Sequence, residues 1–141
     1  MLIAYTSVYG NTKKAVELLA KKLEEKGCPK VTVADLARDD MAEAVEDAFR
    51  MDRLIVAAAS YDGGVFPIMH DFLHHLQIKS YQNRKVGIIE NGSWAPCAGR
   101  VMRSMLEQMK QVEIVEPMVT IRSRMKLSDM PALEALADAM M

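Results

Sequence analysis

A chain of 141 residues, half of them hydrophobic and 26% charged, can close a core without disulfides or metal and does not have the composition of a disordered tail. Its net charge of −1, with no basic block longer than two residues, lacks the electrostatic footprint that holds nucleic acid or an anionic membrane. No stretch approaches the length that spans a bilayer and no leader pattern opens the chain, so the expectation is one domain, residues 1–141, in the cytoplasm.

Leu2–Tyr5 reads as a strand and Thr12–Lys26 as a helix. In the helix Ala15, Val16, Leu19, Ala20 and Leu23 recur at spacings of three and four, and Gly27 stands where a helix-ending glycine belongs. Strand Val31–Ala34 and helix Met41–Arg50 follow, then strand Leu54–Ala58, helix Pro67–Gln77 and strand Val86–Ile89. Helix Ala95–Lys110 comes next, with Pro96 in its first turn and Val101, Met102, Met105, Leu106 and Met109 as its apolar stripe. A strand region around Ile114–Ile121 and helix Ser128–Met140 complete the alternation βαβαβαβαβα. Runs such as LIVAAA are apolar on both faces, as in central parallel strands covered by helices on each side. The fold class is therefore α/β, a three-layer doubly wound sheet of five parallel strands.

Most of the 12 methionines fall on helical stripes and read as core filling. Cys28 and Cys97 form no CxxC and read as free thiols, Cys97 as a packing residue near a helix start. His70 and His74 are spaced i, i+4, but with no third ligand evident HDFLHHL reads as an amphipathic helix with surface histidines.

In an open parallel sheet the ligand crevice lies outside the carboxyl ends of the strands, so the site is expected after strands one, three and four. After strand one, Thr6, Ser7, Asn11 and Thr12 supply hydroxyl and amide groups around Gly10, ahead of a helix whose first amides lack partners. That set suits a phosphate. After strand three comes Ala59-Ser60-Tyr61-Asp62-Gly63-Gly64-Val65-Phe66-Pro67, and after strand four Glu90-Asn91-Gly92-Ser93-Trp94-Ala95-Pro96, which holds the only tryptophan. Two aromatics and several glycines at the edge of a phosphate cradle describe a slot for a flat, phosphorylated heterocycle. Competing motifs are missing: there is no GxxxxGK[ST] and no GxGxxG, although Asp35 ends strand two as a ribose-binding acid would. Strand ends one and three lack the carboxylates of a receiver domain, and neither cysteine begins a phosphatase-type loop.

Ser7-Val8-Tyr9-Gly10-Asn11-Thr12 resembles the [ST]-x-[TY]-G-N-T phosphate loop of the flavodoxin family. SYDGGVFP and NGSWAP are similar to segments that follow strands three and four in the flavodoxin-like domain of A-type flavoproteins, the flavodiiron proteins. The resemblance implies strand order 2-1-3-4-5 and non-covalently bound FMN. It places the phosphate on Ser7, Val8, Tyr9, Gly10, Asn11 and Thr12, and the ring among Ser60, Tyr61, Asp62, Gly63, Gly64, Asn91, Gly92, Ser93 and Trp94. Tyr61 and Trp94 would flank the ring, and Asp62-Gly63-Gly64 matches the position where a backbone carbonyl turns toward flavin N5 on reduction. Three features depart from the family: flavodoxins are strongly acidic where this chain is nearly neutral, basic Arg122, Arg124 and Lys126 follow the last strand, and Ala59 stands where the flavodiiron-type loop is expected to have proline.

The implied function is an electron carrier with little turnover of its own, shuttling electrons between redox partners: a reductase, ferredoxin- or rubredoxin-like donors, or a diiron protein. Arg122, Arg124 and Lys126 follow the last strand and are expected at the site edge, as a solvated loop or as a rim for an acidic donor. Two alternatives stay open: a small NAD(P)H-dependent FMN or quinone reductase, and an electron-transfer module serving a separate diiron oxygen or nitric oxide reductase. The chain itself contains nothing resembling an HxExD-type diiron ligand set.

Overall fold

The computed structural model describes residues 1–7, 10–61, 64–92 and 96–141. The elements in chain order are β1 (Leu2–Tyr5), α1 (Asn11–Glu25), β2 (Thr32–Asp35), α2 (Met41–Arg50), β3 (Arg53–Tyr61), β4 (Gly64–Val65), α3 (Pro67–Ile78), β5 (Lys85–Asn91), α4 (Ala98–Glu107), β6 (Glu113–Ile114), β7 (Val119–Ile121) and α5 (Met130–Met140), with a 3-10 turn at Leu127–Asp129 before α5.

The parallel sheet runs β2-β1-β3-β5-β6, with β7 beside β5 as well. Counting β6 and β7 as one broken fifth strand, this is the expected order 2-1-3-4-5. The break has a local cause. Val86 pairs with Ile114 and Ile89 with Val119, and between them lies Pro117, which has no N–H to donate to a ladder.

Strand alternation divides the core into two layers. Leu2, Ala4, Leu54, Val56, Val86 and Ile88 face α2, α3 and α4, while Ile3, Tyr5, Ile55, Ala57 and Ile89 face α1 and α5. Met69, Met102 and Met140 are fully buried within these layers. α1 ends as its Gly27 implied: at φ +97° the N–H of Gly27 bonds Glu24 O and that of Cys28 bonds Leu23 O, the Schellman pattern.

α1 is also stitched to α5 by charge. Lys22 Nζ lies 2.6 Å from Glu134 Oε2, and Lys26 Nζ lies 2.8 Å from Glu134 Oε1 and 2.7 Å from Asp138 Oδ1. Hydrogen bonds from the two lysines hold the Glu134 carboxyl down at about 2, and those to Asp138 and Glu134 raise Lys26 to about 12. Among the described residues no helix is long and apolar enough to cross a membrane.

Several expected boundaries move, among them the end of strand four, which runs on from Ile89 to Asn91. Strand three does not end at Ala58; it runs to Tyr61 and turns back as β4, pairing Ser60 with Val65 and Tyr61 with Gly64. α4 begins at Ala98 and ends at Glu107, so Pro96 precedes the helix instead of sitting in its first turn. The displacement follows from capping at a distance: Ser60 Oγ accepts from the amides of Cys97 (2.8 Å) and Ala98 (3.0 Å). α5 begins at Met130, two residues later than Ser128, which falls in the 3-10 turn.

Candidate functional site

The strand-to-helix turn after β1 is organised by two residues. Gly10, at φ +86°, takes the left-handed conformation that starts α1, and Ser7 Oγ accepts from the amides of Gly10 (3.1 Å) and Lys13 (3.3 Å). The amides of Asn11 and Thr12 have no acceptor among the described residues. Fifteen aligned peptide units direct the positive end of their dipole at the same place. Thr12 is buried there, and Thr6 is buried nearby in sequence with no partner for its hydroxyl among the described residues.

The second wall is the β3–β4 hairpin. Its base is closed by Phe66 N–H bonding Ala59 O at 3.1 Å, and the Phe66 ring meets Tyr61 edge-on, 5.4 Å between centroids at 74°. Tyr61 is nonetheless 54% exposed.

The third wall comes from the end of β5. Glu90 is buried, its Oε1 accepting from Gly99 N–H at 2.9 Å and its Oε2 from the Thr120 hydroxyl at 2.7 Å. This carboxylate therefore ties the first turn of α4 to β7. The Asn91 amide donates to Ser123 O (2.9 Å) and accepts from Ser123 N–H (3.1 Å), while Gly92 N–H bonds Ile121 O at 3.0 Å. A fourth segment, the loop after β7, is thereby drawn to the same edge.

Together these segments enclose a cleft of about 280 Å³ at the carboxyl ends of β1, β3 and β5. Ser7, Asn11 and Thr12 line it from the first loop, Ala59, Ser60, Tyr61 and Phe66 from the second, Asn91 and Gly92 from the third, and Ser123 from the fourth. None of these ten residues is charged. Such a lining, which combines hydroxyls, the start of a helix and an exposed aromatic ring, can hold an anionic group joined to a flat apolar one. Larger clefts of about 480 Å³ beside Met1, Cys28 and Arg53, and about 750 Å³ between α2 and α3, lack this convergence of strand-end loops.

Of the residues singled out from sequence, Ser7, Asn11, Thr12, Ser60, Tyr61, Asn91 and Gly92 line the cleft and Gly10 caps the helix beside them. Gly64 lies on β4 without lining it, and its carbonyl accepts from Cys97 Sγ at 3.4 Å. Val8, Tyr9, Asp62, Gly63, Ser93 and Trp94 lie outside the described residues. Ala59, Phe66 and Ser123 line the cleft without having been picked out as binding residues. An aromatic immediately before Pro67 was a usable signal for Phe66; nothing local to Ser123 marks it, because its position depends on Asn91, 32 residues away.

Other features singled out from sequence settle elsewhere. Asp35 receives the Tyr5 hydroxyl (3.2 Å) and the Ala37 amide (3.1 Å), so its carboxylate organises the turn after β2; burial and this carboxylate push the Tyr5 phenol up to about 12. His70, His74 and His75 are exposed on α3, and no group of three or more metal-ligating side chains is assembled among the described residues.

The chain has no match among curated proteins. Its fold matches residues of the rubredoxin oxygen:oxidoreductase of Desulfovibrio gigas with a TM-score of 0.92 at 19% identity, over 99% of this chain and 34% of that one, so the chain spans about a third of that protein. An archaeal flavodoxin matches with a TM-score of 0.84 at 17% identity, over 96% of this chain and 92% of that one. Flavodoxin 2 of Bacillus cereus matches with a TM-score of 0.83 at 21% identity, over 99% and 95%. A family model described as a flavodoxin domain matches residues 2–120, and the chain belongs to that flavodoxin-domain family.

Proposed function

We propose that residues 1–141 form one flavodoxin-like domain that binds FMN without a covalent link and carries electrons between redox partner proteins in the cytoplasm. The observation behind this reading is the start of α1, where the Asn11 and Thr12 amides face no acceptor among the described residues and Asn11 and Thr12 line the cleft together with Ser7. The N-terminus of a helix, with the positive end of its dipole, favours a phosphate. No Lys or Arg lies within Ser7–Thr12, so backbone and hydroxyl groups would do the holding.

The remaining lining fits the rest of the cofactor. Tyr61 offers a half-bare ring supported edge-on by Phe66, and Asn91 and Gly92 present an uncharged wall. By the resemblance of their segments alone, Asp62, Gly63, Gly64, Ser93 and Trp94 would also belong to the ring pocket. Bound FMN would supply the one-electron chemistry. The chain would orient it, limit water at its faces and tune its potential through the aromatic and backbone groups beside it.

A second reading, that the chain serves a separate diiron reductase, draws support from the fold match covering only 34% of the Desulfovibrio gigas oxidoreductase. Co-purification with a diiron protein would favour it.

Titration of FMN into the purified protein, followed by flavin fluorescence, tests the cofactor. The expected result is stoichiometric quenching with a Kd at or below about 1 μM. Absence of binding at that concentration would remove the basis of this function.

A further inference from the structure

Resting on the FMN reading above, we propose that the loop Arg122–Lys126 is the docking surface for a small acidic one-electron donor protein, with Arg122 and Arg124 as its contact charges. The middle residue of this loop, Ser123, lines the cleft, so the two arginines stand one residue to either side of the cleft lip.

The loop is held in shape from both sides. Asn91, itself buried, uses its amide group on the Ser123 backbone and keeps that residue at φ +66°, a conformation non-glycine residues seldom adopt. Lys126 turns its ammonium inward onto the carbonyls of Arg122 (2.9 Å) and Arg124 (3.1 Å). One cation thus braces the loop. The other two are exposed, and no carboxylate among the described residues lies within ion-pair distance of either. A loop that merely needed solvation would require neither a buried amide nor a lysine committed to its carbonyls.

Two helices add to the same sign. α1 carries exposed Lys13, and α4 exposed Arg100, within their first turns, where neither helix has an acidic residue. The helix dipole favours the opposite arrangement, so at both places the local electrostatic preference is overridden. At the other end of the strand-end surface, after β2, stand Asp35, Asp39 and Asp40 with Arg38. β2 and the β6/β7 strand occupy opposite borders of the sheet, so this surface is negative at one border and positive at the other while the chain as a whole is near neutral. An acidic patch surrounding a partner's redox centre would be drawn to the β7 side and repelled from the β2 side, bringing that centre to the cleft lip.

The test uses an acidic rubredoxin in two forms: zinc-substituted, for binding without electron transfer, and reduced iron form, for stopped-flow reduction of the FMN-loaded protein. Both are measured for wild type and the double variant R122Q/R124Q at about 20 mM and about 300 mM salt, where the screening length shrinks several-fold. Binding and second-order rate should each fall about tenfold with salt in wild type. The double variant should lose about tenfold at low salt and show a flatter salt slope, with its FMN affinity within about twofold of wild type.

Equal rates and slopes in the two proteins would overturn the proposal. So would faster reaction with a basic donor at low salt, or a defect confined to NADPH oxidation, which would assign the arginines to a dinucleotide. If wild type failed to bind FMN, the cofactor reading would fall, whereas zinc-rubredoxin binding, which needs no flavin, would still decide for or against the docking surface.

Discussion

Replacing Glu90 by alanine should destabilise the protein by about 3 kcal/mol, and replacing it by glutamine by only about 1 kcal/mol. The carboxylate sits in the interior between the Gly99 N–H at 2.9 Å and the Thr120 hydroxyl at 2.7 Å. Alanine leaves both groups without an acceptor, at about 1–3 kcal/mol each, while relief of the buried charge offsets part of that loss. Glutamine keeps a carbonyl for Gly99 and offers its NH₂ to Thr120 Oγ1, so the bridge survives without charge assistance. Gly99→Ala should also destabilise, because a methyl there would collide first with the Met118 sulfur and then lie 2.9 Å from Glu90 Cδ and Oε1. In urea unfolding at neutral pH, with a slope of about 2 kcal/mol per molar, the midpoint should fall by about 1.5 M for Glu90→Ala and about 0.5 M for Glu90→Gln. Equal midpoints for the two variants, or wild-type stability in the alanine variant, would show that the burial cost of the charge cancels its bonds and would refute the bridge as a stabilising element.

Thr12→Asp should weaken FMN binding by about 100-fold or more in a fluorescence titration, since a carboxylate set beside a phosphate repels it by about 4 kcal/mol at 4 Å in a partly screened site. The same change should be mild for stability if the loop is only a helix start. Cys97→Ala removes a weak thiol bond to the Gly64 carbonyl and should leave the FMN Kd within about twofold, which the same titration measures. Glu134→Gln should alter acid unfolding: with its carboxyl held at about 2 in the fold, Glu134 contributes stability that is present above its unfolded value near 4.5 and is lost as pH falls toward 2. Thermal melts between those pH values should show a steeper fall in Tm for wild type than for Glu134→Gln, and parallel curves would contradict the α1–α5 ion pairs as the cause.

Local signals carried the helices. Ala15, Val16, Leu19 and Leu23 are buried as their spacing required, with Ala20 of the same stripe half-buried, and α2 has the limits Met41–Arg50 that its pattern marked. The strand order followed from resemblance, and apolar runs located strands one to four. What escaped depends on partners far along the chain. Nothing near Ser60 shows that its hydroxyl caps a helix 38 residues later, and only that contact explains why α4 starts after Pro96. Glu90 reads as a loop acid until Gly99 and Thr120 enclose it. Ser123 looks like solvent-facing loop until Asn91 draws it to the cleft. The break at Pro117 was legible in principle, since proline cannot continue a ladder, but the apolar residues on either side read as one strand.

Stepwise reduction of the FMN-loaded protein under argon, followed by absorbance, puts the proposed electron-carrier function to its sharpest test. The expected result is two separate one-electron stages with a transient long-wavelength band, and negligible NADPH oxidation without a partner protein. Loss of the flavin on gel filtration, or bleaching in a single two-electron stage with rapid NADPH turnover, would contradict it.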